Sequence, residues 1–349
     1  MRALVIEVGP AAAFAALLLS RLGCEVVSVV PVQGSVPRGQ APEPIDADLA
    51  TYFDDGHQRL ELDLTGTSGR TEAHSLIAAA DVIVEDLGPG MLEELGLTPE
   101  QPLAGLSLVR IAPFGQDGPR AGWRASELVL QAMGGVVHTT GFVGHAPLKL
   151  PGTPAHFVAG IHAATAAMSA AYATTAGTEP PAEIQISIEE AYIHHWTRHN
   201  AQWAYSGTGT VREDPGSGRQ GFPHTVETAD GWLYVLALFA SWEELALFLG
   251  LDEFVTVDWS NPAERRQRWP EIAPKYYGRM QSRSRFDWFA EAAEAGYTFA
   301  PIHEMLDLLS SPQAAARGSL ETREAGGRQV RVPGLPFGGW PKPGGGGRK

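Results

Sequence analysis

Short apolar runs alternate with segments of helical composition in the first part of the chain. The run "ALVIEV" at residues 3–8 is typical of a buried parallel strand. The Ala- and Leu-rich segment after it ends at Gly23, and glycine commonly terminates helices. The run "CEVVSVV" then completes a strand–helix–strand unit, which implies a right-handed crossover.

The same alternation continues downstream. The predicted elements are strands at 60–64, 81–86 and 106–115 and helices at 70–80, 125–137 and 155–177. A short helix is predicted to begin near Pro89, and residues 183–205 look like a strand that continues as a helix. Strands that alternate with helices in this way predict a doubly wound, Rossmann-like α/β sheet.

The second half of the chain has a different pattern. Residues 206–222 are rich in Gly, Ser and Pro and are predicted to be a linker. A hairpin is predicted around Asp230 and Gly231, followed by helices at 241–251 and 284–296. A chain of 349 residues with such a change of pattern favours two domains.

Composition and charge narrow the classes of partner. The formal net charge of −14 argues against nucleic acid and against an acidic membrane surface. The apolar start of the chain is interrupted by Glu7, Gly9 and Pro10, so we expect mature structure there and no signal peptide. No other apolar run reaches the length of a membrane span, and the single Cys24 fits a reducing compartment. The expected location is cytoplasmic.

Two common chemistries are not favoured by the residues. A nicotinamide-binding loop needs a Gly-x-Gly-x-x-Gly pattern after the first strand, whereas the chain has "VGPAAAF". The segment "EEAYIHHWTRH" places Glu190 and His194, and also His195 and His199, four residues apart on a helix. No distant third ligand is evident, so we predict a polar helix face and no metal.

Two Gly-rich loops between 114 and 160 each open a helix, which suits an anionic ligand or a thioester.

An ordered set of segments between about residues 3 and 340 resembles a known family. The segments are "VGPAAAFAALLLSRLGCEVVSV", "LELDL", "ADVIVEDLGPGMLEELGL", "FGQDGP", "QAMGG", "LPGTPAHFVAG", "ADGWLYVLAL" and "PIHEMLDLLSSPQAAARG". Together they resemble the family III CoA-transferases, the group that also contains α-methylacyl-CoA racemase.

The resemblance implies a fold and an assembly. Family members have a large Rossmann-like domain built from both ends of the chain and a smaller α+β domain from the middle. Two subunits interlock, so we expect a homodimer or a heterodimer with an active homologue. The implied parts are 1–205 (large domain), 206–222 (linker), 223–320 (small domain) and 321–349 (return to the large domain and a disordered tail).

The resemblance also implies a reaction and names three residues. Family members move CoA between carboxylic acids through an adduct on an Asp, with CoA as a substrate and no tightly bound cofactor. At the position of that Asp this chain has His156. Ser126 and Glu127 stand where the family often has a His or Tyr followed by an Asp. These three are the candidate catalytic residues.

Eight positions are implied to contact CoA. They are Gly9, Pro10, Arg38, His57, Arg59, Asp86, Leu87 and Glu94. Arg38 matches a family Arg, and Arg59 is a possible substitute for other basic residues. Asp54, His57 and Glu94 replace residues that are neutral or basic in the family. These changes leave open whether CoA is still bound.

Several functions therefore stay open. The chain is expected to act on or bind an acyl-CoA thioester without the ordinary aspartyl mechanism, or to be a degenerate subunit of a heteromeric CoA-transferase, lyase or hydratase. The alternative within the family is an active transferase or an acyl-CoA racemase or isomerase that uses His156 and Glu127. The alternative of another class is a non-catalytic binding or scaffold protein.

Overall fold

The computed structural model divides the chain into two compact units. It describes residues 1–32, 45, 47–53, 57–99, 105–178, 180, 182–209, 211–212, 224–236, 241–258, 260–325 and 327–336. The large unit comprises residues 1–141, 146–211 and those from 321 onward, and the small unit comprises 142–145 and 212–320. The predicted boundaries do not anticipate that residues 142–145 join the small unit. Most of the predicted linker and the tail after residue 336 lie outside the described residues.

The large unit is built on a six-stranded parallel sheet. Its strands are β1 (Arg2–Ile6), β2 (Glu25–Pro31), β3 (Gln58–Leu62), β4 (Val82–Glu85), β5 (Ser107–Ala112) and β6 (Glu183–Ser187). They lie in the order β3-β2-β1-β4-β5-β6, and every neighbouring pair is parallel. This order confirms the doubly wound sheet predicted from the sequence. The strand order reverses between β1 and β4, which is where open α/β sheets usually bind ligands.

Helices cover both faces of this sheet. They are α1 (Pro10–Arg21), α2 (Ala47–Phe53), α3 (Thr67–Ala79), α4 (Met91–Glu94), α5 (Glu127–Met133), α6 (Val136–Thr139), α7 (Pro154–Ala176), α8 (Ile188–His195) and α9 (Thr197–Ser206). The single helix predicted at 125–137 is two helices, because Gly135 adopts a positive φ of 86° that interrupts the chain. The helix predicted after β6 likewise breaks at Trp196 into α8 and α9.

Alternate residues of β1 reach opposite cores. Val5 packs in a cluster with α1 and α7, whereas Leu4 and Ile6 pack in a cluster with α3 and α4. On the first face, α1 and α7 approach closely at Gly160. A Cβ atom at Gly160 would lie 2.7 Å from the carbonyl oxygen of Ala11, so only glycine fits there. This contact fixes the start of α7 against the sheet-covering helix α1.

The small unit contains an antiparallel sheet and a group of helices. The sheet has the order β7-β8-β9, with strands β7 (Thr225–Thr228), β8 (Gly231–Leu236) and β9 (Thr298–Pro301). The helices are α10 (Trp242–Phe248), a 3-10 turn (Asp252–Phe254), α11 (Pro262–Gln281), α12 (Arg285–Glu294), α13 (Met305–Ser310) and α14 (Pro312–Arg317). The elements from α10 to α12 pack on the sheet around the buried Trp288, Tyr276 and Leu233. A two-stranded sheet, β10 (Leu320–Ala325) and β11 (Arg328–Pro333), follows along the chain and from residue 321 belongs to the large unit. None of the helices described here is both long enough and apolar enough to cross a membrane.

Candidate active site

His156 lies in the first turn of α7 and is completely buried. The helix begins at Pro154, and proline is favoured at a first helical position because it lacks the N–H that would stay unpaired there. The Ala-rich sequence that follows keeps the helix regular and lets it pack closely on α1. His156 therefore points from a rigid helix into the interior, with an exposed fraction of 0%.

Glu127, the first residue of α5, is the hydrogen-bond partner of His156. Its Oε2 atom lies 2.7 Å from Nδ1 of His156. Its Oε1 atom accepts hydrogen bonds from the backbone N–H of Ala155 at 2.9 Å and from the side-chain amide of Gln131 at 2.8 Å. The carboxylate thus binds the imidazole and caps the first turn of α7 at the same time. We call Glu127 and His156 the dyad.

Gln131 ties the dyad to the loop before α7. Its Nε2 also donates to the carbonyl oxygen of Leu150 at 3.2 Å, and its Oε1 accepts from the backbone N–H of Leu150 at 2.8 Å. Gln131 is buried and lies one helical turn after Glu127 on α5. Sequence reasoning missed this role, although the spacing of four residues places both side chains on one face of a helix.

The electrostatics of the dyad determine which ring nitrogen carries a proton. Burial raises the pKa of Glu127, but the hydrogen bonds from His156, from the N–H of Ala155 and from Gln131 outweigh it, so the net pKa is lowered. An ionised carboxylate only accepts hydrogen bonds, so Nδ1 of His156 is the donor. In the neutral imidazole the lone pair is then on Nε2. That atom is buried and forms no hydrogen bond with any residue described in the structure.

Tyr192 of α8 is a second residue near the dyad that the sequence did not single out. It is buried, and burial raises the pKa of its phenol. The charge of Glu127 raises it further, whereas the indole N–H of Trp196 lowers it. The phenol is therefore neutral at physiological pH and adds a polar group, without a charge, to the surroundings of Glu127.

An imidazole whose Nδ1 is held by a carboxylate has the arrangement of a general base. The carboxylate fixes the tautomer and stabilises the imidazolium that forms when Nε2 takes up a proton. Ser126, the third candidate catalytic residue, is exposed and caps the N-terminus of α5 without a side-chain hydrogen bond. The structure thus brings Glu127 and His156 together and leaves the Ser126 hydroxyl outside the pair.

Four of the residues implied to contact CoA meet where β1 and β4 end. They are Gly9, Pro10, Asp86 and Leu87, and all four are buried. The Asp86 carboxylate accepts hydrogen bonds from the N–H groups of Val8 at 2.7 Å, Gly9 at 3.1 Å and Ala12 at 3.2 Å. Burial raises the pKa of Asp86 to about 8, against the effect of the bonds from Val8 and Ala12.

The remaining predicted CoA contacts have other partners or lie outside the described part. Nε2 of His57 is 3.0 Å from the hydroxyl of Ser28. Arg59 forms an ion pair with the buried Glu7. Glu94 is exposed on α4. Two further positions, Arg38 and Asp54, lie outside the described residues.

The histidines of α8 and α9 contact other rings. The ring of His194 lies 5.8 Å from that of His162 in an edge-to-face arrangement, and the ring of His199 lies 4.6 Å from that of Trp196. Within the described ranges, no three His, Cys, Asp or Glu side chains are grouped so that they could hold a metal ion.

A comparison with models of protein families assigns the chain to one family. The model described as CoA-transferase family III matches residues 3–345. The chain belongs to CoA-transferase family III. One curated relative in this family is the BbsE subunit of succinyl-CoA:(R)-benzylsuccinate CoA-transferase from Thauera aromatica, 26% identical over 95% of this chain and 85% of its own length. Another is a formyl-CoA:oxalate CoA-transferase from Streptomyces avermitilis, 27% identical over 74% of this chain and 68% of its own length.

Solved structures share the fold. A CAIB/BAIF family protein from Brucella suis superposes with a TM-score of 0.77 and 22% identity, over 92% of this chain and 88% of its own. Rv3272 from Mycobacterium tuberculosis gives a TM-score of 0.77 and 19% identity, over 97% and 91% of the two chains. These likenesses confirm the mixed α/β fold of the family III chain. The resemblance identified in the sequence is likewise confirmed.

Proposed function

We propose that this family III chain binds an acyl-CoA thioester next to the dyad and acts on it by proton transfer, without an aspartyl adduct. The observation that carries the proposal is the 2.7 Å contact between Nδ1 of His156 and Oε2 of Glu127. His156 stands at the position where the resemblance implies a nucleophilic Asp. An acyl-CoA is the substrate class of the relatives, whose names state succinyl-CoA and formyl-CoA.

The ordinary mechanism needs a carboxylate that can form a mixed anhydride. The imidazole of His156 cannot form one. Glu127 is a carboxylate, but both of its oxygens accept hydrogen bonds from groups on α5 and α7. Attack by Glu127 would break this buried network, at a cost of about 1–3 kcal/mol for each buried donor left unpaired. The arrangement therefore favours Glu127 as the partner of His156 and disfavours it as an acyl carrier.

The proposed step is removal of a proton from the carbon next to the thioester carbonyl. The lone pair on Nε2 of His156 takes the proton, and the electron pair of the broken C–H bond becomes the enolate of the thioester. The imidazolium is stabilised by the Glu127 carboxylate at Nδ1. Return of the proton from Nε2 to carbon regenerates the neutral imidazole, so that no oxidant or further reactant is required.

Hydrogen exchange into the substrate tests this function directly. The protein is incubated with acetyl-CoA or succinyl-CoA in D2O, and the deuterium content of the acyl group is followed by mass spectrometry. We expect exchange with the native chain and none above background with His156→Gln. His162→Gln, on the same helix, is the matched control and should exchange normally. Binding of acyl-CoA without exchange, or an acyl adduct on His156 in the intact mass, would contradict proton transfer.

A second candidate function is a companion subunit that has lost its nucleophile. It is favoured by the name of the Thauera aromatica relative, which is a subunit of its enzyme. In this case the chain forms an interlocked dimer with a homologue that carries the Asp, and the partner performs transfer. Co-expression with such a homologue should then give a stable complex whose transferase activity is unaffected by His156→Gln. Loss of that activity in the variant would instead support a catalytic dyad.

A further inference from the structure

The N-terminus of α1 lies at the position where doubly wound sheets usually bind phosphate. It follows β1 directly, at the point where the strand order reverses between β1 and β4. Backbone N–H groups at such a helix start have no partners within the helix and attract anions. Three of the N–H groups in the turn before α1 and in its first turn belong to Val8, Gly9 and Ala12, while Pro10 has no N–H to offer.

A side chain of the protein already binds these N–H groups. Oδ1 of Asp86 accepts from Val8 at 2.7 Å and from Gly9 at 3.3 Å, and Oδ2 accepts from Gly9 at 3.1 Å and from Ala12 at 3.2 Å. Asp86 follows β4 and is 2% exposed. Its two oxygens thus take the positions relative to α1 that two oxygens of a bound phosphate would take.

We infer that the carboxyl group of Asp86 is the built-in occupant of this amide site, so that the diphosphate of a CoA ligand is bound by other residues. The part about CoA rests on the proposed function, whereas the occupancy by Asp86 does not. The inference departs from the expectation that Gly9, Pro10, Asp86 and Leu87 contact CoA. It explains why a chain without a Gly-rich phosphate loop keeps a short turn between β1 and α1.

The surrounding charges also disfavour a second anion. Glu7 follows β1, and Glu85 precedes Asp86 on β4; both are buried. The cations near them are already engaged, since Arg59 pairs with Glu7 and Arg110 with Glu85 at 2.9 Å. A diphosphate at α1 would therefore displace the side chain of Asp86 and meet the acidic side chains of Glu7 and Glu85 nearby. The side chain of Asp86 thus fills the space beside the amide groups, and the neighbouring acidic side chains disfavour a further anion there.

The test uses hydrogen exchange of the backbone at residues 8–12, followed by mass spectrometry. Inorganic pyrophosphate is the probe, added to the native protein, Asp86→Ala and Asp86→Asn. We expect pyrophosphate to leave exchange unchanged in the native protein. The same holds for Asp86→Asn, because its side chain still occupies the space although its NH2 group cannot accept a backbone hydrogen bond. In Asp86→Ala the site is vacated, and exchange should slow about tenfold at ten times the dissociation constant. Asp81→Ala, which removes an exposed carboxylate at the other end of β4, is the control.

Two results would overturn the inference. One is pyrophosphate-dependent protection of residues 8–12 in the native protein. The other is a folded Asp86→Ala variant that gains no protection. If Asp86→Ala fails to fold, the native protein still decides, because protection of residues 8–12 by CoA would refute the inference. If the native chain binds no CoA at all, the proposed function is refuted. The pyrophosphate experiment then still tests whether Asp86 occupies the amide site.

Discussion

Replacement of Glu127 by glutamine should reverse the tautomer of His156. The carboxylate accepts from Nδ1 of His156, from the N–H of Ala155 and from Gln131. In Glu127→Gln, the carbonyl oxygen can still serve Ala155 and Gln131, and an NH2 group then faces Nδ1. Because an NH2 group only donates, Nδ1 must give up its proton and accept. The proton moves to Nε2, and the lone pair needed for a general base is lost.

The cost in stability follows from the same hydrogen bonds. Bonds to a charged group contribute about 1.5–3 kcal/mol and neutral ones about 1 kcal/mol. Glu127→Gln keeps the contacts but removes the charge, so the free energy of unfolding should fall by about 1–2 kcal/mol. Glu127→Ala leaves three buried donors unpaired at about 1–3 kcal/mol each, so the loss should be about 3 kcal/mol or more.

Two measurements check this reasoning. Urea unfolding gives the stabilities, and long-range 1H–15N spectra show which nitrogen of His156 carries the proton. Deuterium exchange into acyl-CoA should fall roughly 10⁴-fold in Glu127→Gln, the size of effect seen when a histidine is held in the wrong tautomer. Glu72→Gln, on the exposed side of α3, is the control and should change neither stability nor tautomer. An unchanged tautomer in Glu127→Gln would refute the assignment of Nδ1 as the donor.

Four further expectations can be checked separately. Gly160→Ala places a Cβ 2.7 Å from the carbonyl oxygen of Ala11, so thermal unfolding should show a loss of about 1–3 kcal/mol. The folded pKa of Asp86, about 8, lies above its unfolded value near 4. Its stabilising contribution is therefore complete below pH 4 and is lost as the pH rises from about 4 to 8. Asp86 should thus lower Tm over that range and not above it, and the fall should be smaller in Asp86→Asn. Light scattering should give a dimer at micromolar concentration; a stable monomer would contradict the expected interlocked assembly. The isolated chain should transfer CoA between an acyl-CoA and a free acid at no more than trace rates, and typical enzyme rates in that assay would contradict the loss of the aspartyl mechanism.

The central strands of the large unit, β1 and β4, could be predicted because each is a short, mostly apolar run. The strand at 3–8 and the helix ending near Gly23 correspond to β1 and α1 within one to two residues at most ends. A strand buried on both faces needs apolar residues at successive positions, and such runs are easy to recognise. The Gly-Pro pair at residues 9–10 indicates the start of α1, because proline is favoured at the first position of a helix.

Other elements could not be predicted from local pattern. Helix α11 contains Pro270 and Pro274, and proline in a sequence usually argues against a helix interior. It is stabilised by burial of Ile272 and Tyr276 in the core of the small unit. The local sequence pattern contains no information about this tertiary packing. The break between α5 and α6 depends on the positive φ of Gly135, although a Gly-Gly pair is compatible with either one helix or two.

The sequence points to His156 and Glu127 as candidates but indicates neither their contact nor the neighbouring Gln131 and Tyr192. Both candidates stand at positions that the family resemblance makes catalytic. They are 29 residues apart, so their contact depends on how α5 and α7 pack. The resemblance also points to Asp86, but as a CoA contact and not as a partner of α1. Its contacts with residues 8–12 span 74 to 78 positions, and no local pattern indicates that a carboxylate after β4 would bind the start of α1.

Nε2 of His156, which has no hydrogen-bond partner among the described residues, favours a working dyad over a purely structural one. A histidine kept only for stability is expected to satisfy both ring nitrogens, since a buried polar atom without a partner costs about 1–3 kcal/mol. Here Nδ1 is bound by a carboxylate, and Nε2 is buried without a hydrogen bond to any described residue. That cost is offset when a ligand or a water molecule offers a hydrogen to Nε2. A ligand that does so should stabilise the native chain and have little effect on His156→Gln, whereas equal stabilisation of both would show that Nε2 does not contact it.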